Sequence, residues 1–216
     1  MFVVRCGLLI SVLTVVSGDL PMWHHPCGDG SVEIDGASMA NLREEARISL
    51  ERLMLQHQMT MYDYLNRDYD YLYESVRIGV HDHQYIPNWI PGKKDVSMIK
   101  RLADRKQQTI INHFPKMHRD LQKFAVAFEE LVDDETNSQV HNALEATQNS
   151  VKAMLCEVES YIVAFTPLEV PPRVERSIMT SIEREPVDDT RRLIRDWGIL
   201  HKYRDYLHAW RHVFNY

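Results

Sequence analysis

The residues best suited to chemistry in this 216-residue chain are its 11 histidines. Three pairs are closely spaced, namely His24–His25, His81–x–His83, and His208 with His212 four positions later. A pair four residues apart on a helix could share a metal ion, but a structural zinc site usually needs four ligands and a catalytic site three. Since no further ligand follows at a suitable spacing, we predict no metal site and no cofactor. His57 falls on an apolar helical face and is interpreted as a core histidine.

The sequence also lacks the motifs of common enzyme classes. It contains no G-x-S-x-G elbow, no H-E-x-x-H pair, no glycine-rich phosphate loop and no dinucleotide fingerprint. The adjacent carboxylates Glu44–Glu45 and Asp133–Asp134 fall at helical positions, where they are typical of a charged surface. We therefore predict that the protein is not an enzyme.

Residues 1–18 predict a secretion signal. Arg5 precedes an apolar run from Cys6 to Val16, and Ser17–Gly18 supplies small residues at a cleavage point. The run is too short for a membrane-spanning helix, which needs about 20 apolar residues, and no second run of that length follows. We expect a secreted, extracellular mature chain of residues 19–216 that does not insert into membranes. Its mildly acidic charge, −6 for the whole sequence, argues against nucleic acid as a partner.

Two of the three cysteines remain once the signal is removed. Cys27 and Cys156 could form one disulfide bond in an oxidising compartment. The alternatives are two unpaired thiols or a bond between chains.

Four long stretches have apolar residues at helical spacing. They are residues 38–68, 97–132, 137–165 and 189–214. Pro115 falls within the second stretch and should kink or split that helix near Phe114. Thr136–Gln139 fits a capping box at the start of the third helix, and Asp188 or Asp189 should cap the fourth.

The lengths of the connections predict the topology. Residues 69–96 and 166–187 form two long connections, while the second and third helices are joined by only a few residues. Two long crossovers allow the first two helices to run parallel and the last two to run parallel. We therefore predict an all-α, up-up-down-down four-helix bundle that forms one domain.

The chain resembles the long-chain helical cytokines of the ciliary neurotrophic factor, cardiotrophin and leukaemia inhibitory factor family over about residues 38–214. The resemblance rests on the polar start and aromatic–leucine core of Asp104–Leu131, and on the two spaced tryptophans of Asp196–Arg211. The invertebrate Unpaired-type ligands are another branch of this architecture. The resemblance implies a protein that bridges cell-surface receptor chains and activates intracellular kinases in JAK–STAT signalling. We expect a monomer before receptor binding.

The resemblance also implies three receptor-facing surfaces. The first lies around the end of the fourth helix and the first crossover, with the candidates Lys202, Arg204, Arg211 and Trp89. The second covers the outer faces of the first and third helices. The third lies at the start of the fourth helix, where several family members have an aromatic-x-x-Lys pair and this chain has Arg192-Leu193-Ile194-Arg195. The aromatic residue is absent here, although a basic residue is kept.

Each candidate also has a purely structural interpretation. The arginines and Lys202 could form a solvated face, and Trp89 could pin its loop rather than bind a partner. Trp197 and Trp210 are interpreted as core residues because they fall on the apolar face of the fourth helix.

A second class of function is a secreted helical carrier of a lipid or another apolar small molecule. The 10 methionines and the aromatic first crossover would suit an adaptable apolar cavity. The helical stripes, in contrast, are narrow enough to fill one another in a closed bundle. A carrier should contain an internal pocket and co-purify with its ligand.

Overall fold

The structure is a computed structural model that describes residues 21–28, 39–67, 69, 76, 85–164 and 167–216. The predicted signal at residues 1–18 lies outside these residues, as do His81 and His83.

The described part of the chain is all α-helical. In chain order its helices are α1 (Met39–Leu65), α2 (Lys93–Lys100), α3 (Gln107–Ile111), α4 (Phe114–Asp134), α5 (Ser138–Ala164), α6 (Ser181–Arg184) and α7 (Asp189–Phe214), with a 3-10 turn at Arg176–Ile178 before α6. No helix in this part of the chain combines the length and the apolar character that crossing a membrane requires.

The second predicted stretch is divided into α2, α3 and α4. The last of these breaks falls before Phe114, and Pro115 lies in the first turn of α4. Proline has no N–H group, and the first turn of a helix is the place where that group has no acceptor within the helix. Pro115 therefore begins a helix here.

Polar side chains fix where α5 and α7 begin. Asn137 accepts the backbone N–H groups of Gln139, at 3.0 Å, and Val140, at 3.2 Å. The cap of α5 is therefore Asn137, which corrects the predicted capping box on Thr136. The cap lies one residue later than predicted because the carbonyl of Asn137 accepts the N–H of His141 at 2.8 Å, while Glu135 accepts the N–H of Asn137 at 2.8 Å in the preceding turn. Asp188 caps α7 by accepting the N–H of Arg191 at 2.8 Å.

Aromatic side chains fill the contact between α4 and α7. Phe124 and Phe128 are fully buried, and their ring centroids lie 4.9 Å and 5.2 Å from that of Tyr203. Such edge-to-face pairs contribute about 0.5–1.5 kcal/mol beyond the area they bury. Trp210 is 1% exposed, which confirms it as a core residue, whereas Trp197 is only half-buried.

Residues of α7 meet α1 and α4 in reverse sequence order. The contacting pairs are His57–Phe214 and Tyr64–Leu200 for α1, and Phe114–Trp210 and Phe128–Tyr203 for α4. His57 is fully buried, and burial lowers its pKa to about 3. It is the core histidine that the sequence predicted.

A disulfide bond joins the N-terminal segment to α5. Cys27 and Cys156 are linked, with their Cα atoms 4.8 Å apart, which confirms the intramolecular pairing and excludes the two alternatives. The bond spans 129 residues, and closing so long a loop should stabilise the fold by roughly 5 kcal/mol in the chain-entropy model. A bond of this kind fits an extracellular protein.

Trp23, four positions before this bond, holds the second crossover in place. Its side chain is fully buried, and its indole N–H donates to the carbonyl of Val174 at 2.7 Å. The guanidinium of Arg176 lies over the same ring, 5.8 Å from its centroid. The N–H of Val174 in turn donates to Gln122 of α4 at 2.8 Å. The crossover is therefore fixed on both sides.

Candidate interaction surfaces

Arg195 lies inside the start of α7 and presents no surface to a partner. Its side chain is 1% exposed. The guanidinium donates to Asp196 at 2.8 Å, to Asp134 at 2.7 Å, and to the carbonyls of Glu183 and Arg184 at 2.6 Å and 3.2 Å. This burial corrects the prediction that Arg195 contacts a receptor. Burying a charge is costly unless it is paired and hydrogen-bonded, and here the pairing ties the second crossover and the end of α4 to α7.

Arg192 lies at the edge of the same cluster. Its guanidinium is 3.8 Å from the carboxylate of Asp189 and 3.6 Å from that of Asp196. Burial raises the pKa of Asp196 to about 6, although the neighbouring Arg195 opposes the shift. Arg192 is half-buried, so it contributes to this cluster and still reaches the surface.

Lys202 and Trp89 hold the first crossover. The ammonium of Lys202 donates to the carbonyl of Pro87 at 2.7 Å, and the indole N–H of Trp89 donates to Glu183 at 3.2 Å. Burial lowers the pKa of Lys202, and Asp95 partly offsets that effect. Both side chains are half-buried. Trp89 therefore links the two crossovers, as its structural interpretation requires, and keeps part of its surface open.

The two remaining candidates lie further along α7. Arg204 is half-buried and donates to Nδ1 of His201 at 2.6 Å. Arg211 is exposed, and its guanidinium donates to the carbonyl of Tyr216 at 3.3 Å. The structure thus separates the six candidates into one buried residue, four half-buried residues and one exposed residue.

An open groove separates α7 from the chain segment 86–96. It has a volume of about 460 Å³, and its lining includes Ile86, Ile90, Trp197, Lys93, Lys94 and Lys202. The segment can approach α7 closely only because residue 198 is glycine, since a Cβ atom there would lie 2.3 Å from Ile86.

A smaller depression continues this groove toward α1. It is lined by Leu65, Trp197, His201 and Arg204 among others, so Trp197 and His201 border both spaces. Their ring centroids are 4.0 Å apart, and the buried indole nitrogen of Trp197 has no hydrogen-bond partner. Together Leu65, Trp197, His201, Lys202, Arg204 and the facing segment 86–96 form one continuous region, which is called the groove surface below.

The outer face of α1 carries a second apolar region. Ile48, Leu55, Met59 and Tyr62 are 37%, 58%, 52% and 69% exposed, and their spacing of seven, four and three residues places them on one side of the helix. This set is called the α1 stripe. Exposed apolar patches mark interaction sites in soluble proteins.

Sequence reasoning named the outer face of the first helix but none of these residues. It followed the single apolar periodicity that contains Leu53, His57 and Tyr64, which are buried. A second set of apolar residues at helical spacing, on the opposite side of the same helix, was the sequence pattern that could have predicted the stripe. The described residues contain no group of three or more His, Cys, Asp or Glu side chains that could hold a metal ion.

Long packed helices, a disulfide bond and open apolar surfaces are together typical of a helical cytokine. The family model of the Unpaired protein matches residues 12–192. The chain therefore belongs to the Unpaired family, whose members are secreted, non-enzymatic, cytokine-like ligands that activate JAK–STAT signalling through a receptor. This match favours the invertebrate branch over the vertebrate branch with which the resemblance began. No curated protein matches the chain, and no solved structure matches it.

Proposed function

We propose that the protein is a secreted cytokine that binds a Domeless-type receptor and bridges receptor chains to activate JAK–STAT signalling. Members of its family bind receptors of this type. The observation that carries the proposal for this chain is the groove surface, in which the half-buried ring of Trp197 lies beside Lys93, Lys94 and Lys202. Tryptophan and arginine are enriched among the residues that dominate binding energy at protein interfaces.

The groove surface would take the first receptor chain. Lys93 and Lys94 are exposed at its rim, and Lys202 and Arg204 stand on α7. Cations arranged in this way favour an acidic receptor surface and increase the rate of association. The exposed part of the Trp197 ring would pack against an apolar side chain of the receptor.

The α1 stripe would take a second receptor chain, as bridging requires two separate surfaces. Charged residues of both signs flank it, since Glu51 is ion-paired with Arg47 and Asp63 is exposed on the same helix. We expect a monomer until the receptor binds.

The proposed architecture is the up-up-down-down bundle, with the signal at residues 1–18 removed from a domain of residues 19–216. The reversed contact order of α7 with α1 and with α4 supports antiparallel packing for both pairs. Two helices that are antiparallel to the same third helix are parallel to each other. The turn of only three residues between α4 and α5 supports an antiparallel pair there. The likeness to vertebrate long-chain cytokines belongs to this proposal.

Receptor binding and signalling test the proposal separately. Purified secreted chain should bind an immobilised Domeless-type ectodomain, and it should raise STAT tyrosine phosphorylation in cells that carry the receptor. The double variant K93E/K94E should bind at least tenfold more weakly, while R105E/K106E, an equal charge change at exposed positions before α3, should stay within twofold. A wild-type chain that neither binds nor signals would refute the proposal, and a bound apolar molecule extracted from it would favour the carrier.

The second surface needs its own variant. Tyr62→Glu should leave ectodomain binding within twofold and reduce maximal STAT phosphorylation at least fivefold, because the first receptor would bind without the second. Gln107→Glu places the same charge at an exposed position of α3, away from the stripe, and serves as the control. Full signalling by Tyr62→Glu would remove the α1 stripe from the proposal.

A further inference from the structure

A second cleft lies on the other side of the segment 85–88, between that segment and the chain around α6. Its volume is about 380 Å³. Two of its lining residues, Ile182 and Val187, are each 78% exposed, which makes them the most exposed large apolar side chains in the described part of the chain. Tyr85, on the opposite wall, is 38% exposed. Neither helical periodicity nor family resemblance pointed to these three residues.

The backbone beneath these side chains is held firmly. Glu183 caps α6 by accepting the N–H and the hydroxyl of Thr180 at 2.8 Å and 2.9 Å. The same carboxylate accepts the indole N–H of Trp89 from the opposite wall at 3.2 Å, and Arg195 binds the carbonyls at the end of α6. The exposed apolar side chains therefore stand on a preorganised frame, which reduces the entropy lost when a partner binds.

Exposed carboxylates stand beside the cleft, whereas the groove surface has an excess of lysines: Lys93, Lys94 and Lys202 line it together with Asp205 and with Asp95, which is ion-paired with Lys116. Glu185, Asp188 and Asp189 are exposed beside the cleft. Two cations line it: Arg195, which is buried and paired with Asp134 and Asp196, and Arg191. Arg191 is ion-paired with Asp188 at 3.2 Å and lies over the ring of Tyr85, 5.0 Å from its centroid. This ion pair offsets the charge of Asp188 as much as that of Arg191, so the negative charge at this rim comes from the exposed Glu185 and from Asp189, which lies 3.8 Å from Arg192.

The cleft and the groove surface are adjacent. Ile86 and Asn88 line both of them. Arg191 and Lys202 are 11 positions apart on α7, which corresponds to about 17 Å along the helix axis. A standard interface buries about 800 Å² on each partner and is roughly 30 Å across. A single receptor module is therefore large enough to cover both.

We propose that the cleft is the second half of the footprint of the first receptor chain. It takes a bulky apolar side chain of the receptor that is flanked by a basic residue, while an acidic part of the same receptor module faces the groove surface. Opposite charge at the two halves of one footprint fixes the orientation of the receptor. In the reversed orientation, charges of the same sign on the receptor and on this chain would face each other. This inference rests on the proposed function.

The double variant I182S/V187S of the full secreted chain tests the cleft. Its affinity for the immobilised Domeless-type ectodomain should fall at least tenfold, mainly through faster dissociation. Its thermal unfolding temperature should stay within two degrees of that of the wild type, since both side chains are largely in solvent already. Val163→Ser, which removes an exposed apolar side chain from α5, is the matched control and should stay within twofold.

Charge reversal at the rim tests the orientation. E185K/D189K should slow association at least threefold at low salt, and the difference should shrink at high salt. If I182S/V187S keeps the wild-type affinity while K93E/K94E loses affinity as expected, the proposal that the receptor binds the cleft would be overturned. The proposed function would still stand. An unchanged affinity combined with a shift in oligomeric state would assign the cleft to self-association and would also overturn it. A wild-type chain that fails to bind would overturn both proposals.

Discussion

The two ends of α7 use arginine in opposite ways. Near its start, Arg195 is almost completely buried and binds the carboxylates of Asp134 and Asp196. At its end, Arg211 is exposed and contacts the terminal carbonyl of Tyr216 at 3.3 Å. The same residue type on the same helix is therefore a structural tie in one place and an accessible charge in the other.

The surroundings of the helix explain the difference. At the start, the end of α4 and the second crossover bring carboxylates and carbonyl groups to the guanidinium. At the end, the neighbours include further cations, and burial followed by Arg211 and Arg204 lowers the pKa of His208. Because Arg211 is exposed, its charge remains accessible to a partner, which makes the end of α7 a further candidate for receptor contact.

Removing the buried arginine should produce the largest effect. Arg195→Ala leaves Asp196 and the α6 carbonyls buried without their donor, so the free energy of unfolding should fall by about 3–5 kcal/mol. Arg211→Ala should change it by less than about 0.5 kcal/mol. Urea denaturation of both variants measures this difference. Equal losses of unfolding free energy would show that the two arginines do not differ in their contribution to stability.

Acidification should weaken the end of α7 through His57, which packs against Phe214. Burial lowers the pKa of His57 to about 3, so below pH 6.5 the unfolded chain binds a proton that the folded chain does not. Relative to His57→Phe, wild-type stability should fall by about 2–3 kcal/mol between pH 6 and pH 4. Urea denaturation across this range measures the slope. The exposed His212→Gln should follow the wild type, and parallel curves for His57→Phe would contradict the prediction.

At the start of α7, acidification should increase the stability that Asp196 contributes, whereas it decreases the contribution of His57. The folded-state pKa of Asp196 is raised to about 6 by burial, so its contribution to stability is present below the unfolded value and is lost as the pH rises through 6. Relative to Asp196→Asn, the wild type should gain about 2 kcal/mol between pH 6 and pH 4. The same denaturation series measures it. A wild-type loss relative to the variant would show that Asp196 stays ionised beside Arg195.

The smallest expected effect is on binding at the exposed end. Arg211→Glu should weaken ectodomain binding about tenfold, which corresponds to about 1.4 kcal/mol, through slower association and without a change in unfolding free energy. Surface plasmon resonance at two salt concentrations measures both rates. Arg119→Glu, at an exposed position of α4, is the charge-matched control. If both variants bind equally well, the charge at residue 211 has no specific role.

The all-α class could be predicted from the sequence because each long helix must bury an apolar stripe. Such a stripe requires apolar residues every three or four positions in the sequence. The short helices α2 and α3 could not be distinguished from α4 by their apolar periodicity, since helices of eight and five residues have too few turns to show one. The burial of Arg195 was hidden for another reason. Its partner Asp134 lies 61 positions away in the sequence, and no local sequence pattern predicts a contact between residues so far apart.

The candidate surfaces show the same limit. The groove and the cleft are lined by crossover residues such as Ile86, Asn88 and Ile182, which follow no helical period. Family resemblance directed attention to the start of α7, but it pointed to Arg192 and Arg195. The structure instead exposes Ile182 and Val187 at that end, because the second crossover covers Arg195 and carries its own apolar side chains outward.

The bond between Cys27 and Cys156 also determines what a single proteolytic cut can do. It closes a covalent ring that includes α1 and α4, so a chain cut once anywhere between these cysteines remains one molecule until it is reduced. The helix α7 lies outside the ring. A cut in the second crossover would therefore leave α7, with Lys202, Arg204 and Arg211, attached by packing alone. A single cut that detaches the proposed binding helix must therefore fall after Cys156, in the last turns of α5 or in the crossover that Trp23 and Arg195 hold in place.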